Sequence, residues 1–406
     1  MKTRLNKVEQ KNFEYLIKVL SSAVNNTQPP LIPEVVNWDY LKSCASQSST
    51  QAMLANTVLN LPKEHLPSED VCKYLNESKN IGLFVDGVLN YEIETILKTF
   101  DKYKIKNVPL KGYFLKQEYP RPDFRSVSDF DILFNRSQID DVKKAFAEIG
   151  YEFVHNDDNQ YHFRKKPYVY IEMHATLVHE YESYYPYLVD QIDRTTKRDG
   201  YEYSYEMSYE DHYLYLLIHS SNHLRIAGLG IRMVLDTYLY YKNHQKDFDM
   251  DYLSSKIKLY GLEIFENRIR EIAFNWFSST EPKITFDDFE TYICLSATIG
   301  RVSTGVMISS HKMQLNAEKE GKKKSKFSYF LTSLCPNKTK MAVDYPYVEK
   351  LPFLLPVTWV SMWFRRFFID KNVHIKKGFK NRFSYTNEEI QYVKGILEEV
   401  GFDDLT

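Results

Sequence analysis

The spacing of apolar residues changes period twice along this chain, and that change limits the folds open to it. From Asn6 to about Phe100 the apolar residues fall at helical spacing, as in Phe13, Leu16, Ile17 and Leu20 and again in Ile93, Ile96, Leu97 and Phe100. Between Lys106 and Tyr205 the pattern shortens to β-prone runs: Asn107 to Leu110, Phe130 to Phe134, Tyr151 to Val154, Tyr161 to Arg164, and Tyr168 to Leu177. One amphipathic helix interrupts them, from Ser137 to Ile149, with Ile139, Val142, Ala145 and Phe146 on one face and Gly150 as its C-terminal cap. Asn156 to Asn159 reads as a polar hairpin connection. Helical spacing resumes after Ser208, an expected N-cap ahead of Asp211, and the last helix is announced by the capping box Thr386 to Glu389. The expected class is α+β. A small mixed-sheet core over 106–206 is flanked by helical regions at 1–105 and 207–406.

The 406 residues suit two to three domains. Lys and Arg number 53 against 54 Asp and Glu, so the net charge of -1 offers a polyanion no global attraction, and nucleic acid would need a local patch. The one basic low-complexity insert, around Lys322 to Lys326, is expected to be a solvated loop, with a basic acceptor-binding loop as the alternative. Cys44, Cys72, Cys294 and Cys335 are scattered without CxxC spacing and are expected as free thiols in a reducing compartment. Met1 to Lys18 lacks the basic stub and apolar run of a signal peptide. The most apolar stretch, Leu351 to Phe364, falls short of the roughly 20 residues that span hydrocarbon and contains Pro352 and Pro356. It is expected to be a buried segment, with no transmembrane span and a cytoplasmic location.

The chemistry concentrates in Val108 to Phe134. A strand runs into Lys111-Gly112, and a later strand opens with Asp129-Phe130-Asp131. Side chains at i and i+2 of a strand share a face, so Asp129 and Asp131 project together while Phe130 and Ile132 turn the other way. Two such carboxylates repel unless a cation or base joins them, and magnesium favours all-oxygen ligands that it shares with phosphates. Two-ion phosphoryl and nucleotidyl transfer calls for a third carboxylate. Glu172 is the candidate: it lies in the β-prone run Tyr168 to His174, where it shares a face with His174 opposite Ile171 and Met173. Taken alone, the aspartate pair could equally cap a turn after Ser126-Val127-Ser128.

The order Leu110-Lys111-Gly112, Tyr119-Pro120, Arg125, Asp129-Phe130-Asp131 and Glu172-Met173-His174 resembles the DNA polymerase beta-like nucleotidyltransferases. It is most similar to the bacterial subgroup labelled uncharacterised nucleotidyltransferase, over Asn107 to about Asp236. The resemblance implies transfer of a nucleotide from an NTP to an acceptor with loss of pyrophosphate. Asp129, Asp131 and Glu172 would be the catalytic, metal-holding set for two Mg2+ ions, with Mn2+ as a substitute. The superfamily's usual Gly-Ser pair is here Gly112-Tyr113, so the hydroxyl contact is missing. Lys111 and Gly112 are then expected at the triphosphate, and Arg125 either contacts a phosphate or pairs with Asp123 or Asp129.

His174 could orient the acceptor, act as a base, or hydrogen-bond a metal-binding carboxylate, the role ranked first; Glu172 is the better base candidate. His212, His219 and His223 share a helical face and are expected as a polar wall of the cleft, not a zinc site, because the HExxH glutamate is missing. Arg232 and Asp236 are expected to form an intrahelical ion pair. The acceptor is expected to be a small molecule, with nucleic acid less favoured. The alternatives are a toxin-like enzyme that nucleotidylates RNA or protein, and a non-catalytic nucleotide-binding module.

Overall fold

The computed structural model describes residues 2–127, 129–156, 159–167, 169–179, 182, 184–226, 228–297, 341, 345, 347–364 and 387–402. Contacts divide the chain into two units. One comprises residues 4–222 and 229–298, the other residues 1–3, 223–228 and 299–406.

The first unit begins with α1 (Lys7–Asn25), α2 (Trp38–Gln47), α3 (Gln51–Val58) and the long α4 (Glu69–Lys102). Asn6 and Glu9 close a capping box at the start of α1, satisfying two backbone N–H groups that the first helical turn leaves open. The chain then forms β1 (Asn107–Pro109), the short α5 (Lys111–Leu115), β2 (Phe130–Phe134), α6 (Ile139–Glu148), β3 (Glu152–Asn156), β4 (Gln160–Lys165) and β5 (Val169–His174). Gly150 has φ +83°, the left-handed conformation expected of the cap after α6.

The five strands lie in the order β1-β2-β5-β4-β3. β2 and β5 are parallel, and the other pairings are antiparallel. A parallel neighbour needs a crossover, which α6 and the β3–β4 hairpin supply. One sheet face is apolar: Phe130, Ile132, Phe134, Phe163, Ile171 and Met173 pack with Ile93, Leu97 and Phe100 of α4 and Val142 and Phe146 of α6. Because strand side chains alternate, covering this face with two helices turns Asp131, Glu172 and His174 to the other. The fold is α+β, a small mixed sheet flanked by helices.

Helices return with α7 (Tyr185–Leu188), the two-stranded β6 (Thr196–Lys197) and β7 (Tyr205–Glu206), then α8 (Tyr209–Ile226), α9 (Ile231–His244), α10 (Met250–Leu259), α11 (Glu263–Phe277) and α12 (Asp288–Leu295). The Ser208 Oγ accepts the Asp211 N–H at 3.1 Å, the expected N-cap contact. Cys44, Cys72 and Cys294 are free thiols.

In the second unit the described helices are α13 (Tyr347–Lys350), α14 (Leu355–Phe364) and α15 (Asn387–Glu399). The expectation of a buried 351–364 segment is corrected: Phe353, Val357 and Val360 are 73%, 65% and 70% exposed. α14 buries Thr358 and Met362, and Met362 joins a small cluster with Met341 and Val348, while Val357 and Val360 on the same helix stay largely exposed. Among the described residues, no helix is long and apolar enough to cross a membrane. Lys322 to Lys326, Cys335 and Thr386 lie outside the described residues.

Candidate active site on the polar face of the sheet

Strand register assembles the site. Asp131 of β2 is the partner of Glu172 on β5, and Glu172 is the partner of His162 on β4, so the three form a row across the sheet. One step along, His174 is paired with Gln160. His174 Nε2 lies 2.8 Å from Asp131 Oδ1 and 3.8 Å from Glu172 Oε2, while His162 Nδ1 lies 3.6 Å from Glu172 Oε1.

Lys111 enters from the other side. The Leu110 N–H donates to the Asp131 carbonyl at 2.8 Å, which pins the start of α5 beside β2. The Lys111 ammonium then sits 3.2 Å from Asp131 Oδ2 and 5.9 Å from the ring centre of Tyr215 on α8. Burial alone would raise the Asp131 pKa, but the Lys111 ammonium and the His174 hydrogen bond outweigh it and hold this carboxyl far below its usual range. For Lys111, burial favours the neutral amine; Asp131, then Tyr215 and Asp129, reverse that and keep it charged. The Glu172 pKa is raised, first by burial and then by the charges of Asp131 and Asp129.

Asp131, Glu172 and His174 can each offer one ligand atom, all within 4.8 Å of one another. The expected trio was Asp129, Asp131 and Glu172. The structure brings two of these together, adds His174, and leaves Asp129 half-exposed at the strand entrance, where its charge acts on Lys111 and Glu172. Three carboxylates and an imidazole faced by one ammonium carry an excess of negative charge. That donor set fits a divalent cation, and the charges of Asp131 and Asp129 add to burial in raising the Glu172 pKa.

Several sequence expectations are corrected here. Among the described contacts Arg125 pairs with neither Asp123 nor Asp129. It is buried and bidentate to Asp236 of α9, at 2.8 and 2.9 Å, and Tyr119 donates to the same carboxylate at 2.8 Å. Asp123 is held by Arg121 instead. With both Asp236 oxygens engaged, the expected Arg232–Asp236 pair gives way, and Arg232 donates to the Ser126 carbonyl at 2.9 Å. Both arginines therefore tie the 125–126 segment, just before Asp129, to α9.

Gly112 serves close packing. A Cβ there would lie 3.1 Å from Val127 Cγ1 and 3.5 Å from an Arg125 nitrogen. The expectation of a polar cleft wall is corrected for His212. His212 is buried between the rings of Phe114 and Tyr240, at 5.4 and 4.9 Å, and burial lowers its pKa to about 4. His219 is half-buried and its charge acts on Asp131, and His223 is half-buried one turn further along α8.

Sequence reasoning missed Tyr215, His162 and Gln160, which reach the site from α8 and β4. Alternation along β4 could have indicated the latter two, because they share a face. It also missed a cavity of about 160 Å³ behind the 125–127 segment, walled by Ala52, Gly82, Val85, Lys116, Arg125 and Val127. The fully buried Lys116 ammonium there is anchored by Asp86 at 2.6 Å.

No curated protein and no solved structure matches this chain. A family model described as uncharacterised nucleotidyltransferase matches residues 34–278, which span α2 to α11 and hold every residue of the polar sheet face. With more than half of its length matched, the chain belongs to the uncharacterised nucleotidyltransferase family.

Proposed function

We propose that this protein transfers a nucleotide from an NTP to a hydroxyl on a small-molecule acceptor, releasing pyrophosphate, at the face built by Asp129, Asp131 and Glu172. The observation that carries the reading is the in-register placement of Glu172 opposite Asp131, with the Lys111 ammonium on the far oxygen of Asp131. Family membership supports the class of reaction.

Asp131, Glu172 and Asp129 would hold magnesium, with His174 at its edge; bound there, the ion would neutralise phosphate charge and acidify the acceptor hydroxyl. The protein's own groups account for the rest. His174 fixes the Asp131 carboxylate through its 2.8 Å hydrogen bond. Lys111, kept charged by the surrounding acids, presents positive charge to the triphosphate beside the start of α5 at Gly112. Glu172 would take the acceptor's hydroxyl proton as the new oxygen–phosphorus bond forms and the bond to the pyrophosphate oxygen breaks. The tied 125–126 segment keeps Asp129 in line with Asp131.

A small acceptor is favoured because the net charge of -1 gives a nucleic acid no general attraction. The test is transfer of label from α-phosphate-labelled NTPs into a small-molecule pool and, separately, into bulk RNA, by wild type and Asp129→Asn. Label appearing in small molecules and lost in the variant supports the proposal. Label in RNA alone would shift the acceptor class, and nucleotide binding without transfer into either pool would refute the enzyme reading.

A further inference from the structure

The cavity of about 160 Å³ behind the 125–127 segment lies among α3, α4 and the stretch of chain that leads into Asp129. Its walls differ in character. Val85 and Leu89 of α4, with Val127, make one part apolar, while Gln51, Ser78, Arg125 and Ser126 bring polar groups to it.

The hydrogen-bonding capacity left on these walls is uneven. The Gln51 amide and the Ser78 and Ser126 hydroxyls make no hydrogen bond among the described contacts. Arg125 spends Nε and Nη2 on Asp236, which leaves the two N–H donors of Nη1 unspent. The acids on the wall are already engaged. Asp86 accepts from Lys116 on one oxygen and from Asn90 on the other, and Asp123 accepts from Arg121 on both. Charged donor capacity therefore remains where the charged acceptors are occupied.

The balance of charge has the same sign. Lys116, Arg121 and Arg125 each have one carboxylate partner, in Asp86, Asp123 and Asp236. Arg232 adds a fourth cation beside the cavity, because it donates to the Ser126 carbonyl, and it has no carboxylate partner among the described ion pairs. Its Nε is buried without a hydrogen bond. Burial first and the Arg125 charge second lower the Arg232 pKa, and Asp236, Tyr119 and Asp129 offset this in part. Asp129 also acts on Lys111 and Glu172 at the acidic face. A partly buried positive charge without its own counter-charge is costly. Water can fill a polar cavity, but it brings no charge and gains little against an apolar wall.

We propose that this cavity is a binding site for a small organic carboxylate, seated with its charge at the Arg125 guanidinium and its hydrocarbon body against Val85, Leu89 and Val127. A cavity of about 150 Å³ holds benzene, so a body of about six to nine non-hydrogen atoms fits here. The Gln51 amide and the two serine hydroxyls complete the hydrogen bonds to the carboxylate oxygens. Such a site needs neither nucleotide nor metal, so its failure would leave the proposed transfer reaction untouched.

The probe is isovalerate, which is of that size, set against its neutral isostere isovaleramide, against acetate and against inorganic phosphate, all at one ionic strength. Scanning fluorimetry and ligand-observed NMR on the full chain give the dissociation constants. Isovalerate should bind at least about tenfold more tightly than isovaleramide, which lacks the charge, and than acetate, which lacks the body. Ser78→Leu puts hydrocarbon into the cavity and should abolish isovalerate binding, and Gln51→Leu should weaken it about threefold or more, with unchanged circular-dichroism spectra. Equal binding of isovalerate and isovaleramide in wild type would overturn the proposal, since the pocket would then not select a charge. Phosphate binding as tightly as isovalerate would do the same, by showing an anion site with no place for hydrocarbon. No binding of isovalerate at up to about 50 mM would show a water-filled space, and binding that persists unchanged in Ser78→Leu would put the carboxylate elsewhere.

Discussion

Glu172 stands directly opposite Asp131 in the parallel pairing of β2 with β5. The two carboxylates are brought together by strand register, from positions far apart in sequence. His174 and Lys111 each engage one oxygen of Asp131, at 2.8 and 3.2 Å, so its orientation is fixed from both sides.

Lys111 is the only lysine or arginine that the described contacts place on these carboxylates. Lys111→Met removes it from a site rich in negative charge and should lower turnover by about a hundredfold or more. The same variant should gain more thermal stability from added magnesium than wild type does, because a cation then takes over the work of the ammonium. Scanning fluorimetry with and without the metal reads this directly. An equal shift in both proteins would argue against a cation beside Asp131.

The Arg125–Asp236 pair is buried and bidentate, and its removal leaves one charge without its partner. Arg125→Met should cost about 3–5 kcal/mol in urea unfolding. Asp236→Asn should cost less, since the amide can still accept from Arg125 and Tyr119. Arg125→Lys should lose the second hydrogen bond of the fork and fall between them. A loss below about 1 kcal/mol in Arg125→Met would show that the pair does not anchor the segment before Asp129.

Gly112 and Val127 fill one space. Gly112→Ala should destabilise the protein by about 1–3 kcal/mol by overpacking against Val127 Cγ1. The double variant with Val127→Ala should recover much of that loss, and urea unfolding of all three variants measures the coupling. Strict additivity would show that the two side chains do not compete.

His212 gives the fold an acid-sensitive point. Its ring is buried, its Nε2 has no partner among the described residues, and its pKa is lowered to about 4. The unfolded chain takes up the proton near pH 6.5 and the folded chain only near pH 4, so this residue's contribution to stability is complete above about pH 6.5 and is lost as the pH falls toward 4. The span corresponds to about 3 kcal/mol. His212→Phe, which keeps a ring between Phe114 and Tyr240, should flatten that part of the stability–pH profile. Profiles of the same slope in both proteins would contradict the assignment.

Much of this was legible from the sequence. Period and turn chemistry located all five strands of the main sheet, α6 and the caps at Ser208 and Gly150, because those signals are local. Alternation placed Asp131 and Glu172 on polar strand faces opposite an apolar core. What periodicity could not supply was the long-range partner. Arg125 lies close to Asp123 and Asp129 in sequence, yet it pairs with Asp236 on a helix more than a hundred residues away. Arg232 and Asp236 have the spacing of an ion pair, and each is claimed from outside its own helix. His212 and His219 share a helical face by number, but the packing of Phe114 and Tyr240 buries the first in the core. The apolar composition of Leu351 to Phe364 suggested burial, while hydrophobicity alone does not say which side of a helix finds neighbours.

The measurement closest to the central claim is pyrophosphate release from each of the four NTPs with magnesium, in the presence of a small-molecule pool, comparing wild type with Asp131→Asn. The proposed reading predicts release by wild type, its loss by at least about a hundredfold in the variant, and matching circular-dichroism spectra for the two proteins. Equal release from the two proteins, or release that persists after the divalent cation is chelated, would contradict it.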